Sequence, residues 1–472
     1  MNRNIRVAIT LAVLILATSL RIAEVCKFSL DNDEIAEVSW VRLPWRDMME
    51  KIEADKVHPP FDYAIQHLLT FASVGECGRR VPGVLAGIGT VGLVMLIALR
   101  AFGWSAAVAT GLLLAASPLH IRYSQEIRPY ALGLFFLSAS IATLVEYRRT
   151  VSVRWIILWF CCIVLAAYTL YFAAVVALIT SFAFIFFERN GPLRSLWRSA
   201  PFLVAAAGIL YAPWLSVLIA IIRQRALAPP DQLDAGWFLY RLQVLATGDW
   251  RVEPVSAGSW ILWLLAIAGC VLAWRNSAGR ALVTWFIGGL AIEILILQLH
   301  PHPSAVRHLL PAWIALFPLA GAAISSLTRV RGGTVIAAIL CAVVVAGDAR
   351  TVRAYYDHGR PDWRTVAEFV ASRVRKNEQV FAADGWVEMN FGYYWREAGQ
   401  PVALQRLPPG VQLTLSGPAW IVIAGCPMDM TAHDVIERQE LRLSLPYTNH
   451  CQVRYLPKGS TIVLPRSVCL TL

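Results

Sequence analysis

Charge is scarce in this chain. Charged residues make up 15% of its 472 residues, hydrophobic residues 57%, and the mean hydropathy is +0.56. A water-soluble protein of that length would not read this way. No Cys/His spacing resembles a zinc site. Internal repeats and low-complexity tracts are lacking as well. There is no compact basic module interleaved with aromatics, so the net charge of +11 does not point to nucleic acid as a partner.

Long apolar runs are what the chain has. A helix needs roughly 20 apolar residues to cross a bilayer, and eleven stretches qualify, several of them short: about 5–23, 83–99, 104–120, 130–146, 154–170, 171–187, 199–221, 259–274, 281–299, 308–327 and 333–348. In lipid each must be helical, because an exposed amide finds no partner there. The short loops are unequal in cations. One set holds Arg3, Arg6, Arg100, Arg148, Arg149, Arg154, Arg189, Arg194, Arg198, Arg275, Arg280, Arg329 and Arg331, while the other holds only Arg122, Arg128 and Arg307. Cation-rich loops stay inside, which predicts a cytoplasmic N-terminus and an extracytoplasmic C-terminus. The first span lacks a clear small-x-small cleavage site and reads as a retained anchor. Cys161, Cys162, Cys270 and Cys341 fall in spans as small packing residues. Cys26 and Cys77 bracket the first outer segment and can pair in an oxidising compartment. Cys426, Cys451 and Cys469 lie in the C-terminal segment, and their odd number leaves one unpaired within it.

Three outer segments exceed simple connectors. The first, 24–82, opens on Asp31, Asp33, Glu34 and Glu37. It continues with Ile35, Val38 and Val41, then Trp45, Met48, Met49 and Ile52, both at helical spacing. Pro44 separates two short amphipathic helices lying in the headgroup plane or folded as a plug. The second, 222–258, carries Pro229-Pro230 and Thr247-Gly248-Asp249-Trp250 and has the length of a lid. The third, 349–472, begins with an amphipathic helix from Asp362-Trp363-Arg364 through Val366, Phe369, Val370 and Val374. Apolar runs at Gln379–Ala382, Trp420–Ala424 and Thr461–Leu464 follow, predicting a small extracytoplasmic α/β domain. The domains are therefore 1–348 in the membrane and 349–472 outside it.

Polar clusters gather at the predicted outer face. Asp33 and Glu34 stand about ten residues past the first span, where a carboxylate can act as general base once desolvated; alone, a solvated acidic loop explains them as well. His58-Pro59-Pro60 is a rigid turn that can aim an imidazole at a phosphate, or simply end a helix. Asp55 and Asp62 flank it as secondary carboxylates. The loop Pro118–Tyr130 contains Ser124-Gln125-Glu126-Ile127-Arg128-Pro129-Tyr130. There Arg128 can neutralise a phosphate, and Glu126 can orient Arg128 or an acceptor; a Glu–Arg pair capping the next span is the plain alternative. Arg79-Arg80 precede the second span, and His300, His302, Arg307 and His308 precede the tenth. Cations that persist on the outer side are candidates for phosphate binding. Glu293 is the acidic residue read as lying deep in a span.

These residues, in this order, resemble the GT-C superfamily of membrane glycosyltransferases. The branch in question contains protein O-mannosyltransferases, the lipid A aminoarabinose transferase and bacterial lipopolysaccharide galacturonosyltransferases. The likeness rests on Asp33-Glu34, His58-Pro59-Pro60, Arg80-Val81-Pro82, Ser117-Pro118, the Ser124–Tyr130 loop, and Arg307 through Pro311 followed by Pro318. It covers about the first 350 residues and is strongest in the first 150. Each motif is short; their order and shared topology carry the specificity. The resemblance implies a polytopic α-helical membrane protein of about eleven spans. It implies inverting transfer of a sugar from a polyprenyl-phosphate donor to a hydroxyl of a lipid, glycan or protein. Asp33 would be the base with Glu34 its neighbour. His58, Arg80, Arg128, Tyr130 and Arg307 would hold the donor, and Glu126 would support the acceptor side. The chemistry requires no metal, although some members of the superfamily use a divalent cation. The family has no fixed C-terminal domain, so 349–472 is where the likeness says least. A bacterial inner membrane fits an arginine-heavy chain without eukaryotic retention signals. The competing readings are a transporter or flippase, which should carry ionisable residues at mid-bilayer and related halves, and a non-catalytic assembly protein, which leaves the outer motifs without a role.

Overall fold

A backbone in lipid can satisfy its amides only within its own segment, and each of the eleven apolar stretches lies on helix in the computed structural model. The structure describes residues 2–188, 191–225, 240–245, 248, 257–298, 306–358, 360, 362–383, 385–407, 412–424, 451–456, 458 and 461–463. Among them six helices are long and apolar enough to cross a membrane: Arg3–Ile22, Glu76–Phe102, Tyr130–Thr150, Pro201–Arg223, Ser277–Ile296 and Gly333–Asp357. Three further pairs are bent at a short break: Trp104–Ala116 with Pro118–Ser124, Tyr171–Phe187 with Pro192–Ser199, and Val306–Trp313 with Leu316–Leu327. Counting each pair as one span gives nine. Val153–Thr169 and Gly258–Ala273 are apolar but shorter. By length and composition the described residues therefore support six to nine spans, and a count of eleven needs both shorter helices to cross as well. The protein is a polytopic helical membrane protein. Phe202, Val204 and Ile209, exposed on the Pro201–Arg223 helix, make physical sense as a lipid-facing surface.

By compactness the chain divides into two units: Met1–Val25 with Trp40–Arg353, and Cys26–Ser39 with Ala354–Leu472. A boundary at 348 does not anticipate that the second unit takes in a piece of the first outer segment.

In the first unit Tyr130–Thr150 is the central helix, with 94% of its most apolar window buried. It packs on Val81–Phe102, Val153–Thr169 and Tyr171–Phe187. Its direction is set by charge. Arg100, near the end of Val81–Phe102, pairs with Glu146 at 2.6 Å, and Arg149 joins the same carboxylate at 3.0 Å. Two helices joined at their C-terminal ends begin at the same opposite face, which brings Arg80 and Tyr130 to one side of the bundle. The short helices Trp45–Asp55 and Phe61–Phe71 cover that end. Met48 and Ile52 pack with Val41, Tyr63 and Trp214, as the helical spacing requires. Asp348 joins Glu293 as a carboxylate buried within a long helix, so Glu293 is not alone in depth.

The second unit holds helices Trp363–Ala371 and Gly385–Glu397 and six strands. These are β1 (Gln379–Ala382), β2 (Leu404–Arg406), β3 (Gln412–Thr414), β4 (Ala419–Ala424), β5 (Cys451–Leu456) and β6 (Thr461–Val463). Four form a sheet in the order β2-β1-β4-β5, with β1 parallel to β2 and β4, and β5 antiparallel to β4. β3 and β6 form a separate antiparallel pair. Asp362 caps the first helix, accepting from the Thr365 amide at 3.2 Å, and Trp363, Val366 and Val370 are its buried stripe.

Candidate active site

The break after Ala116 shapes one face of the first unit. Pro118 has no amide hydrogen, so the Leu114 carbonyl four residues back loses its helical donor. The chain bends there by 63°. Arg21, in the last turn of the first helix and fully buried, supplies donors instead: Nη1 to the Ala115 carbonyl at 3.2 Å and Nη2 to the Leu114 carbonyl at 3.3 Å. Arg21 Nη2 also lies 2.6 Å from His120 Nδ1. Guanidinium has no acceptor, so Nδ1 accepts and the ring proton is on Nε2. Gln125 Nε2 donates back to the carbonyls of Arg21 and Ala23. Gly248, at φ +75°, passes so close to Pro118 that a Cβ would stand 2.7 Å from its side chain; only glycine fits both conditions. Arg21, His120 and Gln125 were not among the residues the motifs singled out. An arginine at a span end reads as an anchor, and its contacts lie 93 to 104 residues away.

Behind the break, residues 124–130 are presented beside the start of Val81–Phe102. A Cβ on Gly83 would stand 2.9 Å from the Ser124 carbonyl oxygen and 3.2 Å from that of Glu126. Tyr130 opens its helix after Pro129. Its hydroxyl is 3.4 Å from His58 Nε2, and the two rings meet edge to face at 5.5 Å. His58 is 3% exposed. The Pro59-Pro60 turn starts the helix Phe61–Phe71 rather than merely ending the one before it. The Arg307 guanidinium lies 6.0 Å from the Tyr130 ring centroid, and Tyr123 meets the same ring at 5.2 Å. His308 stacks on Phe172. Tyr130 thus joins His58 and Arg307, which are far apart in sequence.

Arg80 is fully buried and donates from Nη1 to the Val25 carbonyl at 2.7 Å, tying the end of the first helix to the start of the next span. Arg128 is 8% exposed. Glu126 pairs with Arg122 at 3.2 Å, so the ion pair shown by the loop is four residues apart along it. Asp62 is buried next to Tyr63, whereas Asp55 ends its helix exposed.

In the second unit Asp33 and Glu34 occupy the first turn of the helix Asn32–Val41, where negative charge is favoured. Asp33 is half-buried and Glu34 is 1% exposed. Glu34 Oε2 accepts from Arg360 Nη1 at 2.7 Å and from the Asp31 amide at 2.9 Å. Removing one partner of such a buried pair costs about 3–5 kcal/mol, because the other charge stays behind. Arg360 went unnoticed in the sequence, which offers no local signal for it.

Cys26 and Cys77 are both disulfide-bonded. Among the described residues no group of three or more His, Cys, Asp or Glu is placed to hold a metal ion. His300, His302, most of 222–258, Cys426 and Cys469 lie outside the described residues.

Residues 57–217 match the family model of dolichyl-phosphate-mannose-protein mannosyltransferase; the match takes in His58, Arg80, Glu126, Arg128 and Tyr130. With the fold, it makes the chain similar to the GT-C membrane glycosyltransferases. ArnT from Cupriavidus metallidurans, solved bound to undecaprenyl phosphate, is similar in fold, with TM-score 0.55 and 16% identity over 89% of this chain and 92% of that one. The Archaeoglobus fulgidus oligosaccharyltransferase, solved with Zn and sulfate, is similar at TM-score 0.54 and 14% identity over 84% of this chain and 62% of that one. At these identities the likeness is one of fold. No curated protein matches the chain in sequence.

Proposed function

We propose that this protein is an inverting glycosyltransferase that moves a sugar from a polyprenyl-phosphate donor to a hydroxyl of a lipid, glycan or protein. What carries the reading is the group His58, Tyr130 and Arg307 at one face of the bundle, in a chain similar to GT-C glycosyltransferases. The undecaprenyl phosphate of the ArnT structure supports the donor class. Asp33 takes the proton of the acceptor hydroxyl. The oxygen then attacks the anomeric carbon opposite the phosphate, the sugar–phosphate bond breaks, and the phosphate leaves with its charge offset by Arg128, Arg307 and His58. Arg80 supports that phosphate side from its buried position. Glu126 supports the acceptor side. All eleven apolar helices span the membrane in this reading, with the N-terminus cytoplasmic and the C-terminal unit outside a bacterial inner membrane.

The test uses purified protein in nanodiscs and a panel of short-chain polyprenyl-phosphate sugars. Binding and slow hydrolysis of the sugar–phosphate bond are followed at fixed ionic strength. Saturable binding of one sugar, weakened in R128A, supports the reading. A folded protein that binds none of the panel overturns it. The buried Glu293 and Asp348 are what a transporter reading would build on; flux of a lipid-linked sugar across vesicles without transfer would favour it.

A further inference from the structure

We propose that Arg360 is a positioning residue for the Asp33–Glu34 motif, acting through Glu34. The C-terminal stretch thereby becomes a working part of the enzyme. This rests on the reading of Asp33 as base.

Glu34 does two things with one oxygen. By accepting from the Asp31 amide it closes the first turn of Asn32–Val41 in the manner of a capping box. By accepting from Arg360 it satisfies a buried cation. Asp31 adds the complementary contacts, its carboxylate accepting from the Asn32 amide and its carbonyl from the Ile35 amide. Asp33 lies inside that turn and stays half-buried. The two carboxylates thus have separate tasks: Glu34 is committed to holding the turn, and Asp33 is the one exposed enough to meet a substrate.

The tie does not stand alone. Arg360 lies over the Phe28 ring at 5.6 Å, and Phe28 meets Tyr355 at 5.0 Å. Lys27 Nζ donates to the Tyr356 carbonyl at 2.8 Å. Ser29 Oγ donates to Asp362 at 3.0 Å and accepts from the Arg364 amide at 3.1 Å. The Leu30 amide donates to the Tyr394 hydroxyl at 2.7 Å. Residues 27–34 are thus fastened at Lys27, Phe28, Ser29, Leu30 and Glu34 to the C-terminal stretch. Losing the Arg360 cation leaves a buried anion whose easiest relief is to turn toward water. That turn would release the cap and the helix turn carrying Asp33.

The test compares R360M, R360K, E34Q and R360M/E34Q with the unmodified full-length protein in nanodiscs. Two readouts are taken: turnover with its donor KM, and hydrogen exchange of amides 31–41. R360M is expected to lower kcat about 10²-fold, the usual cost of a displaced catalytic group, with the donor KM unchanged. Exchange should quicken at 31–41 and stay unchanged in Tyr130–Thr150. R360K should recover part of the rate. The double variant should lose no more than the worse single one, as for residues that act as a unit. Full turnover in folded R360M, additive losses, or unaltered exchange at 31–41 would each overturn the proposal. If R360M does not fold, R360K and E34Q decide by the same readouts. If the unmodified protein turns over no donor, the glycosyltransferase reading fails, while the exchange data still decide whether Arg360 holds the turn.

Discussion

Asp33 and Glu34 are neighbours in the chain with opposite surroundings. Half-burial leaves Asp33 able to exchange a proton with a substrate, so D33N should reduce transfer by about 10²–10⁴-fold, the span usual for a general base. The melting temperature should stay unchanged, since Asn preserves shape. Full activity in D33N would remove Asp33 from the role. R128A should raise the donor Kd roughly tenfold or more, as expected for a lost charge-assisted contact, and titration at fixed salt measures it. In the second unit, burial pushes the Glu378 carboxyl up, but bonds from Trp420, the Arg375 amide and Tyr455 outweigh it and hold it below the ordinary carboxylate range. A depressed folded value gives stability that is present above the unfolded value and lost as pH falls through the folded one. E378Q should therefore melt lower than the unmodified protein at neutral pH, and the gap should close in acid; thermal melts across pH check this.

The proline break at 117–118 is the element on which the polar loop turns. Arg21 donates to both the Ala115 and Leu114 carbonyls, the latter also accepting from the Ser117 amide at 3.4 Å, and a buried carbonyl left unpaired costs about 1–3 kcal/mol. R21M should lower the melting temperature and R21K restore part of it, as read by thermal unfolding in detergent. Hydropathy located every one of these helices, and the amphipathic stripes at Met48–Ile52 and Val366–Val370 packed as spaced. The strand runs read at 379–382 and 420–424 were legible as short apolar runs with β-branched residues. The bends were not. Pro118 announces a break but not its angle, which depends on what accepts the freed carbonyls. The Arg122 contact of Glu126 was hidden for a different reason. A loop read as a turn hides that Pro118–Ser124 is helical, and Glu126, two residues past the end of that helix, comes within 3.2 Å of Arg122.

At the scale of the whole molecule, the chemistry proposed needs cations at the leaving phosphate, and the chain's own arginines supply them. Transfer should therefore survive exhaustive chelation; loss in EDTA with recovery on adding Mg²⁺ or Mn²⁺ would assign that task to a metal. Likeness to the superfamily was legible because short motifs kept their order across the first 150 residues. The alliance of Cys26–Ser39 with the C-terminal stretch was not, since nothing local in either sequence marks the other. That alliance has a consequence for biogenesis. Glu34 and Arg360 are 326 residues apart, and ribosomes add about 5–20 residues per second. The helix bearing Asp33 leaves the ribosome roughly 15–65 s before the arginine that fastens it. During that interval the growing protein acquires His58, Arg80, Arg128 and Arg307 in turn, but not the tie proposed to hold the turn bearing Asp33. The late arrival of one guanidinium would delay competence until the last long apolar helix, Gly333–Asp357, has been made.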